Sequence, residues 1–181
     1  MIRLFVALAL PQSLRERLAM LAGGVPGARW TDPENMHLTL RFIGEVAEDR
    51  IADIHLALSR VRQPAFSVTI AGVGFFKQGR NPTLLWAGVE RNDALLQLQQ
   101  QVDHALQRED LGSESRRYTP HVTLARLQRS PESRVAEFVA HHNLFRAPPF
   151  VADSFTLFSS FLSSSGAIYT PEADYPLLTI A

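Results

Sequence analysis

Apolar positions recur along the chain at two spacings, every second residue in some stretches and every third or fourth in others, and this rhythm divides it into elements. Residues 2–10 alternate weakly and read as a strand. Pro11 suits the first turn of a helix, Leu14, Leu18 and Leu21 follow at helical spacing, and Gly23-Gly24 closes it. Gly27 to Asn35 reads as loop, with Trp30 as a core anchor. The β-favouring stretch from Met36 to Ile43 is expected to stop at Gly44. Ile51, Ile54, Leu58 and Val61 form the stripe of a second helix, ended by Pro64. Phe66, Val68 and Ile70 alternate as a strand running toward Phe76, and a turn over 77–82 leads into a strand over 84–89, which makes a hairpin.

Leu95, Leu98, Val102 and Leu106 give a third helix, with Asn92 or Asp93 able to cap it. A polar loop from Gly112 to Arg117 delivers a second β-favouring stretch, Pro120 to Leu127. A shorter fourth helix is expected over 132–140 behind Pro131. Two strands follow, 150–162 and 167–177, joined at Ser163-Ser164-Ser165-Gly166. The order of elements is that of an α+β chain. No segment rich in Pro, Gly or Ser splits it, so residues 1–181 are expected to form a single domain of two pseudo-symmetric lobes with a cleft between them.

The two β-favouring stretches share more than periodicity. Each opens with the same pattern, His37-Leu38-Thr39-Leu40 and, 84 positions later, His121-Val122-Thr123-Leu124. At this composition two such tetrapeptides by accident are on the order of a one-in-a-thousand event. Strand alternation puts His37 and Thr39 on one face with Leu38 and Leu40 on the other, and treats the second copy likewise. Side by side, the two strands would bring two imidazoles and two hydroxyls to one concavity. Histidine has an ordinary pKa of about 6.5, so one ring can give a proton and the other take one near neutrality. The hydroxyls supply neutral donors for an anion held between them.

On these motifs the chain resembles the two-histidine phosphoesterases, and within them the RNA 2′,3′-cyclic phosphodiesterases once called 2′-5′ RNA ligases. The likeness extends to Arg3-Leu4-Phe5-Val6-Ala7, to Pro33 through Glu45, to Leu85-Trp86-Ala87-Gly88-Val89, to Pro120 through Arg126, and to Tyr169-Thr170-Pro171. The resemblance implies a bilobal α+β fold, each lobe an antiparallel sheet with helices packed outside. It implies hydrolysis of RNA 2′,3′-cyclic phosphate ends to a 2′-phosphomonoester without metal, with His37 as proton donor and His121 as acceptor. It implies Thr39 and Thr123 as ligands of the phosphate oxygens. The expected partner is RNA ending in a cyclic phosphate, or a cyclic-phosphate nucleotide. Joining of such an end to a 5′-hydroxyl, and a non-catalytic RNA-binding module, are the alternatives.

Around the motifs, Arg41 alternates onto the face of His37 and Thr39, which puts it within reach of the phosphate. Arg126 falls on the opposite parity from His121 and reaches the site only if a bulge intervenes; the family pattern carries an arginine there, so it is taken as a substrate contact. Phe42 matches a family aromatic thought to touch the base, whereas simple parity would bury it. Tyr118 reads as a surface residue. His55 and His104 fall within helices and His141-His142 end one, so structural roles are expected for them.

Composition narrows the chemistry further. There are no cysteines, which excludes disulfides and thiolate catalysis. Neither motif holds a carboxylate in ligand register, so no metal site is expected. No Gly-rich loop ends in Gly-Lys-Ser/Thr, so no ATP and no other cofactor is expected. The formal net charge is zero, with 17 arginines and one lysine, Lys77, so contacts to RNA must be local. Apolar runs are too short to span a membrane, no secretory signal is visible, and a monomer in the cytoplasm is expected.

Overall fold

Ten strands and four α-helices follow one another in the computed structural model, which describes residues 1–179. They are β1 (Ile2–Ala9), α1 (Gln12–Ala19), β2 (Ala28–Trp30), β3 (His37–Val46), α2 (Ile51–Ser59), β4 (Phe66–Val68), β5 (Ile70–Gln78) and β6 (Asn81–Val89). The chain continues as α3 (Asp93–Gln107), β7 (His121–Leu127), α4 (Glu132–His142), β8 (Phe150–Ala152), β9 (Ser154–Ser163) and β10 (Gly166–Pro176). The α+β order expected from periodicity is therefore present, and Asn92 caps α3 by accepting from the Leu95 amide at 3.0 Å.

Several boundaries differ from the expectation. Residues 28–30, read as loop, form β2, whose three residues are too few to carry a period and are strand only because they pair with β7. The strands expected over 66–76 and 150–162 are each broken, and their first pieces, β4 and β8, pair with each other as a separate two-stranded sheet. β3 does not stop at Gly44. That glycine takes a φ of +88° beside a register shift, and the ladder resumes to pair Val46 with Ile2.

The main sheet runs β10-β9-β1-β3-β7-β6-β5, with β2 also on β7. It is two four-stranded antiparallel halves, β10-β9-β1-β3 and β2 with β7-β6-β5, that touch where Leu38 pairs with Val122. β3 packs against α3, which in turn contacts α2, while α4 packs on β5 and β6. Leu38, Leu40, Val122 and Leu124 are buried on the back of the motif strands. Each side chain so removed from water is worth roughly 1.5–3 kcal/mol, so a one-residue slip of either motif strand would be heavily penalised.

Both motif strands carry a bulge at the same place. Thr39 pairs with Ala7 and Arg41 with Val6, leaving Leu40 as the extra residue. Thr123 pairs with Trp86 and Ala125 with Leu85, leaving Leu124 extra. Past each bulge the alternation is inverted, which decides where the neighbouring functional candidates point.

Candidate active site

The pairing of Leu38 with Val122 in antiparallel register puts His37 opposite Thr123 and Thr39 opposite His121, all four on the face away from the core. In such a ladder the Cα atoms of diagonal neighbours stand roughly 7–8 Å apart, which brings the two imidazoles to one patch of the sheet. A local two-fold through the Leu38–Val122 pair thus relates one His-x-Thr to the other. All four residues are partly exposed.

Each imidazole is fixed the same way. His37 Nδ1 lies 2.8 Å from the carbonyl of Asn35, and His121 Nδ1 lies 2.7 Å from the carbonyl of Thr119. A carbonyl only accepts, so Nδ1 carries the hydrogen and Nε2 is left with the lone pair in the neutral ring. Asn35 is itself held, its Nδ2 donating to the Ala167 carbonyl at 2.9 Å.

Aromatic walls surround both rings. Phe5 lies 4.8 Å from the His37 ring and Tyr169 meets it edge-on at 5.3 Å. Phe76 meets His121 edge-on at 5.1 Å, with Trp86 at 6.5 Å. Trp86 fits only because Gly74 has no side chain, since a Cβ there would stand 2.4 Å from the indole. This burial pushes both imidazoles below their ordinary value of 6.5, against the raising effect of the carbonyl bonds. A charge on His121 lowers His37 further. Both rings are therefore biased toward the neutral form.

The bulges settle the flanking residues. Arg41 does not share the face of His37 and Thr39. The extra Leu40 turns it inward, where it is 6% exposed. Its Nε meets Asp103 at 2.6 Å, and its terminal nitrogens donate to the carbonyls of Phe42, Leu111 and Gly112. That guanidinium ties α3 and its following loop to β3 instead of facing a ligand. Phe42, on the other parity, is turned out and is 61% exposed. The equivalent bulge brings exposed Arg126 onto the face of His121 and Thr123, with Arg29 directly opposite it on β2.

A cavity of about 760 Å³ opens beside His121, lined among others by Thr39, Phe42, Phe76, Arg116, Arg117 and Tyr118. His37, Thr123 and Arg126 lie outside that lining. Tyr118 is not a surface residue. Its ring is half-buried against the core, its hydroxyl donates to the Thr39 carbonyl at 2.7 Å, and burial raises its pKa well above that of a free phenol. Nothing local in the sequence marks this bond, which spans 79 residues. Trp30 packs on the core with Phe138 at 5.6 Å, as an anchor would. Among the described residues no three His, Asp or Glu side chains converge as a metal site would need, and no helix is long and apolar enough to cross a membrane.

Two imidazoles, each held through Nδ1 on the carbonyl two residues before it, thus share one face of the sheet as the candidate site. The chain belongs to the LigT like Phosphoesterase family, whose model matches it twice, over residues 8–86 and 88–169. The two halves are thus copies of one unit, a repeat visible by eye only in the tetrapeptides. The chain is 38% identical to the RNA 2′,3′-cyclic phosphodiesterase of Thermotoga maritima over 79% of its own length and 76% of that protein's. It is 34% identical to that of Archaeoglobus fulgidus over 92% and 96%. Its fold matches the crystal structure of Escherichia coli LigT complexed with 3′-AMP at a TM-score of 0.78, with 27% identity, covering 97% of this chain and 98% of that one.

Proposed function

We propose that this protein is an RNA 2′,3′-cyclic phosphodiesterase that opens the cyclic phosphate to a 2′-phosphomonoester. The observation that carries the proposal is the matched orientation of the two imidazoles, each with Nδ1 on the carbonyl two residues before it and Nε2 free on the shared face. Family membership and relatives named for this activity support it.

In the proposed reaction one imidazole removes a proton from water as its oxygen bonds to phosphorus. The other gives a proton to the ribose 3′-oxygen as its bond to phosphorus breaks. By the family resemblance His121 is the acceptor and His37 the donor. Thr39 and Thr123 donate to the non-bridging oxygens, whose charge grows in the transition state. An anionic phosphate between the rings favours a proton on one of them, which converts two neutral imidazoles into one acid and one base. Proton exchange with solvent then resets the pair.

Arg126 and Phe42 are proposed substrate contacts, from their exposed placement beside the motifs. The proposal includes a monomeric, cytoplasmic enzyme that unfolds as one unit; size-exclusion chromatography, cell fractionation and calorimetry test those parts. The central test is to incubate the purified protein, in EDTA, with an oligoribonucleotide bearing a terminal cyclic phosphate and to identify the product. A 2′-phosphate end is expected. A 3′-phosphate end, a 2′-5′ joined product in excess over hydrolysis, or a need for added metal would overturn it.

A further inference from the structure

The site is symmetric in its motifs and lopsided in its surroundings. At the His37 end the rings of Phe5, Phe158 and Tyr169 close around the imidazole. At the His121 end the chain leaves the cavity of about 760 Å³, a volume of the class that encloses a whole organic ligand and larger than one phosphate needs. The aromatic rings of Phe42, Phe76 and Tyr118 line it.

Its charge is equally uneven. Arg116 and Arg117 line the cavity, both are exposed, and neither guanidinium has an ion-pair or hydrogen-bond partner among the described residues. The other cations there are occupied, Lys77 by Glu132 and Arg41 by Asp103. One carboxylate, Glu114, also lines the cavity and accepts the Arg116 amide at 3.2 Å, so the two guanidiniums outnumber the unpaired negative charge there. On a chain of zero net charge, two free guanidiniums beside the exposed ring of Phe42 and the half-buried ring of Phe76 are a local feature, matched to a strand with phosphates to pair and bases to stack.

We infer that this cavity is a second subsite, which takes the nucleotide preceding the cyclic end, with its internucleotide phosphate on Arg116 and Arg117 and the strand running over Phe42 and Phe76. The enzyme's substrate is then an RNA chain and not a free cyclic mononucleotide. The inference rests on the cyclic phosphodiesterase proposal for what happens at the histidines, and extends it to what lies upstream.

The test compares kcat/KM for a 2′,3′-cyclic mononucleotide with a 5′-hydroxyl, the same with a 5′-phosphate, and a tetranucleotide with a cyclic end, on the wild type and on Arg116→Ala/Arg117→Ala. The tetranucleotide is expected to be better by about tenfold or more, and the double variant to lose that advantage while hydrolysing the 5′-hydroxyl mononucleotide as the wild type does. Arg60→Ala/Arg91→Ala, which removes equal charge from residues outside the cavity lining, should keep the advantage. In parallel, fluorescence anisotropy follows binding of a labelled hexaribonucleotide ending in a 2′-phosphate. Its log–log salt slope should shrink in the double variant by about 0.7 for each phosphate that no longer meets a guanidinium.

Equal kcat/KM for mononucleotide and tetranucleotide would overturn the inference, as would an advantage that survives the double variant or vanishes in Arg29→Ala at the other end. Full gain from a 5′-phosphate alone would assign the subsite to a nucleotide monophosphate and overturn the RNA reading. Absence of turnover with arginine-dependent, salt-sensitive binding would sink the proposed activity and leave the subsite standing.

Discussion

The two ends of the candidate site carry the same His-x-Thr-Leu pattern and are fastened by different means. Beyond the central Leu38–Val122 pair, β7 goes on to pair with β2, Ala125 with Trp30 through Leu127 with Ala28, and the Thr31 amide donates to the Leu124 carbonyl at 2.9 Å. Among the described residues β3 has no strand in the corresponding place, its neighbours there being β1 and β7. Side chains do the work instead. The Tyr118 hydroxyl takes the Thr39 carbonyl, and Arg41, anchored on Asp103, takes the carbonyls of Leu111 and Gly112. A backbone ladder survives most substitutions because every residue but proline brings the donor and acceptor it needs. A side-chain fastening does not, so the His121 end is the one that point mutations can loosen. The same lack of a strand is what leaves room for the cavity there.

The largest effect should test what the two ends share. His37→Ala and His121→Ala are each expected to lower kcat by about 10² to 10⁴-fold with the fold retained, measured by single-turnover hydrolysis and far-UV circular dichroism. A loss at only one end would break the equivalence. The kcat/KM profile, which reports the free enzyme, should be bell-shaped and centred below pH 6.5, because burial lowers both imidazoles. The kcat profile should lie higher once the phosphate is bound.

Next comes the fastening of the second end. Asp103→Ala leaves the buried Arg41 guanidinium without its carboxylate, and a loss of about 3 kcal/mol is expected in urea unfolding. If stability is unchanged, Arg41 is held by carbonyls alone. Tyr118→Phe keeps the ring and removes one hydroxyl, for a loss of about 1 kcal/mol. Thr119, which orients His121, is the next residue, so kcat should fall several-fold with KM little changed. Tyr175→Phe, which removes a hydroxyl bonded to His55 at 3.0 Å, should leave kcat alone. Equal kinetic effects from the two tyrosines would mean that Tyr118 positions nothing.

The smallest effect is on stability against pH. With folded imidazoles below 6.5, the unfolded chain binds more protons, so this contribution is full above pH 6.5 and is lost as pH falls from there through the lowered folded values. His37→Gln should flatten that part of the stability curve. A curve that keeps its slope would place the titration elsewhere.

The sequence by itself determined the rhythm of strands and helices, the duplicated motif, and the face that His37 shares with Thr39 and His121 with Thr123, because these follow from spacings of two to four residues. It also held a faint mark of one bulge, since Leu124-Ala125 places two apolar residues in succession. The matching bulge at Leu40 was hidden by the charge on Arg41, a residue that burial would not be expected to choose. Only the tertiary structure decided which residue of each strand is extra, since that depends on pairing with β1 and β6 and not on the strand itself. That one-residue shift turned Arg41 inward, turned Phe42 and Arg126 outward, and left Tyr118 to close a gap 79 residues away. Alternation has a period of two, so a single inserted residue reverses every side chain beyond it, and no local pattern records the reversal.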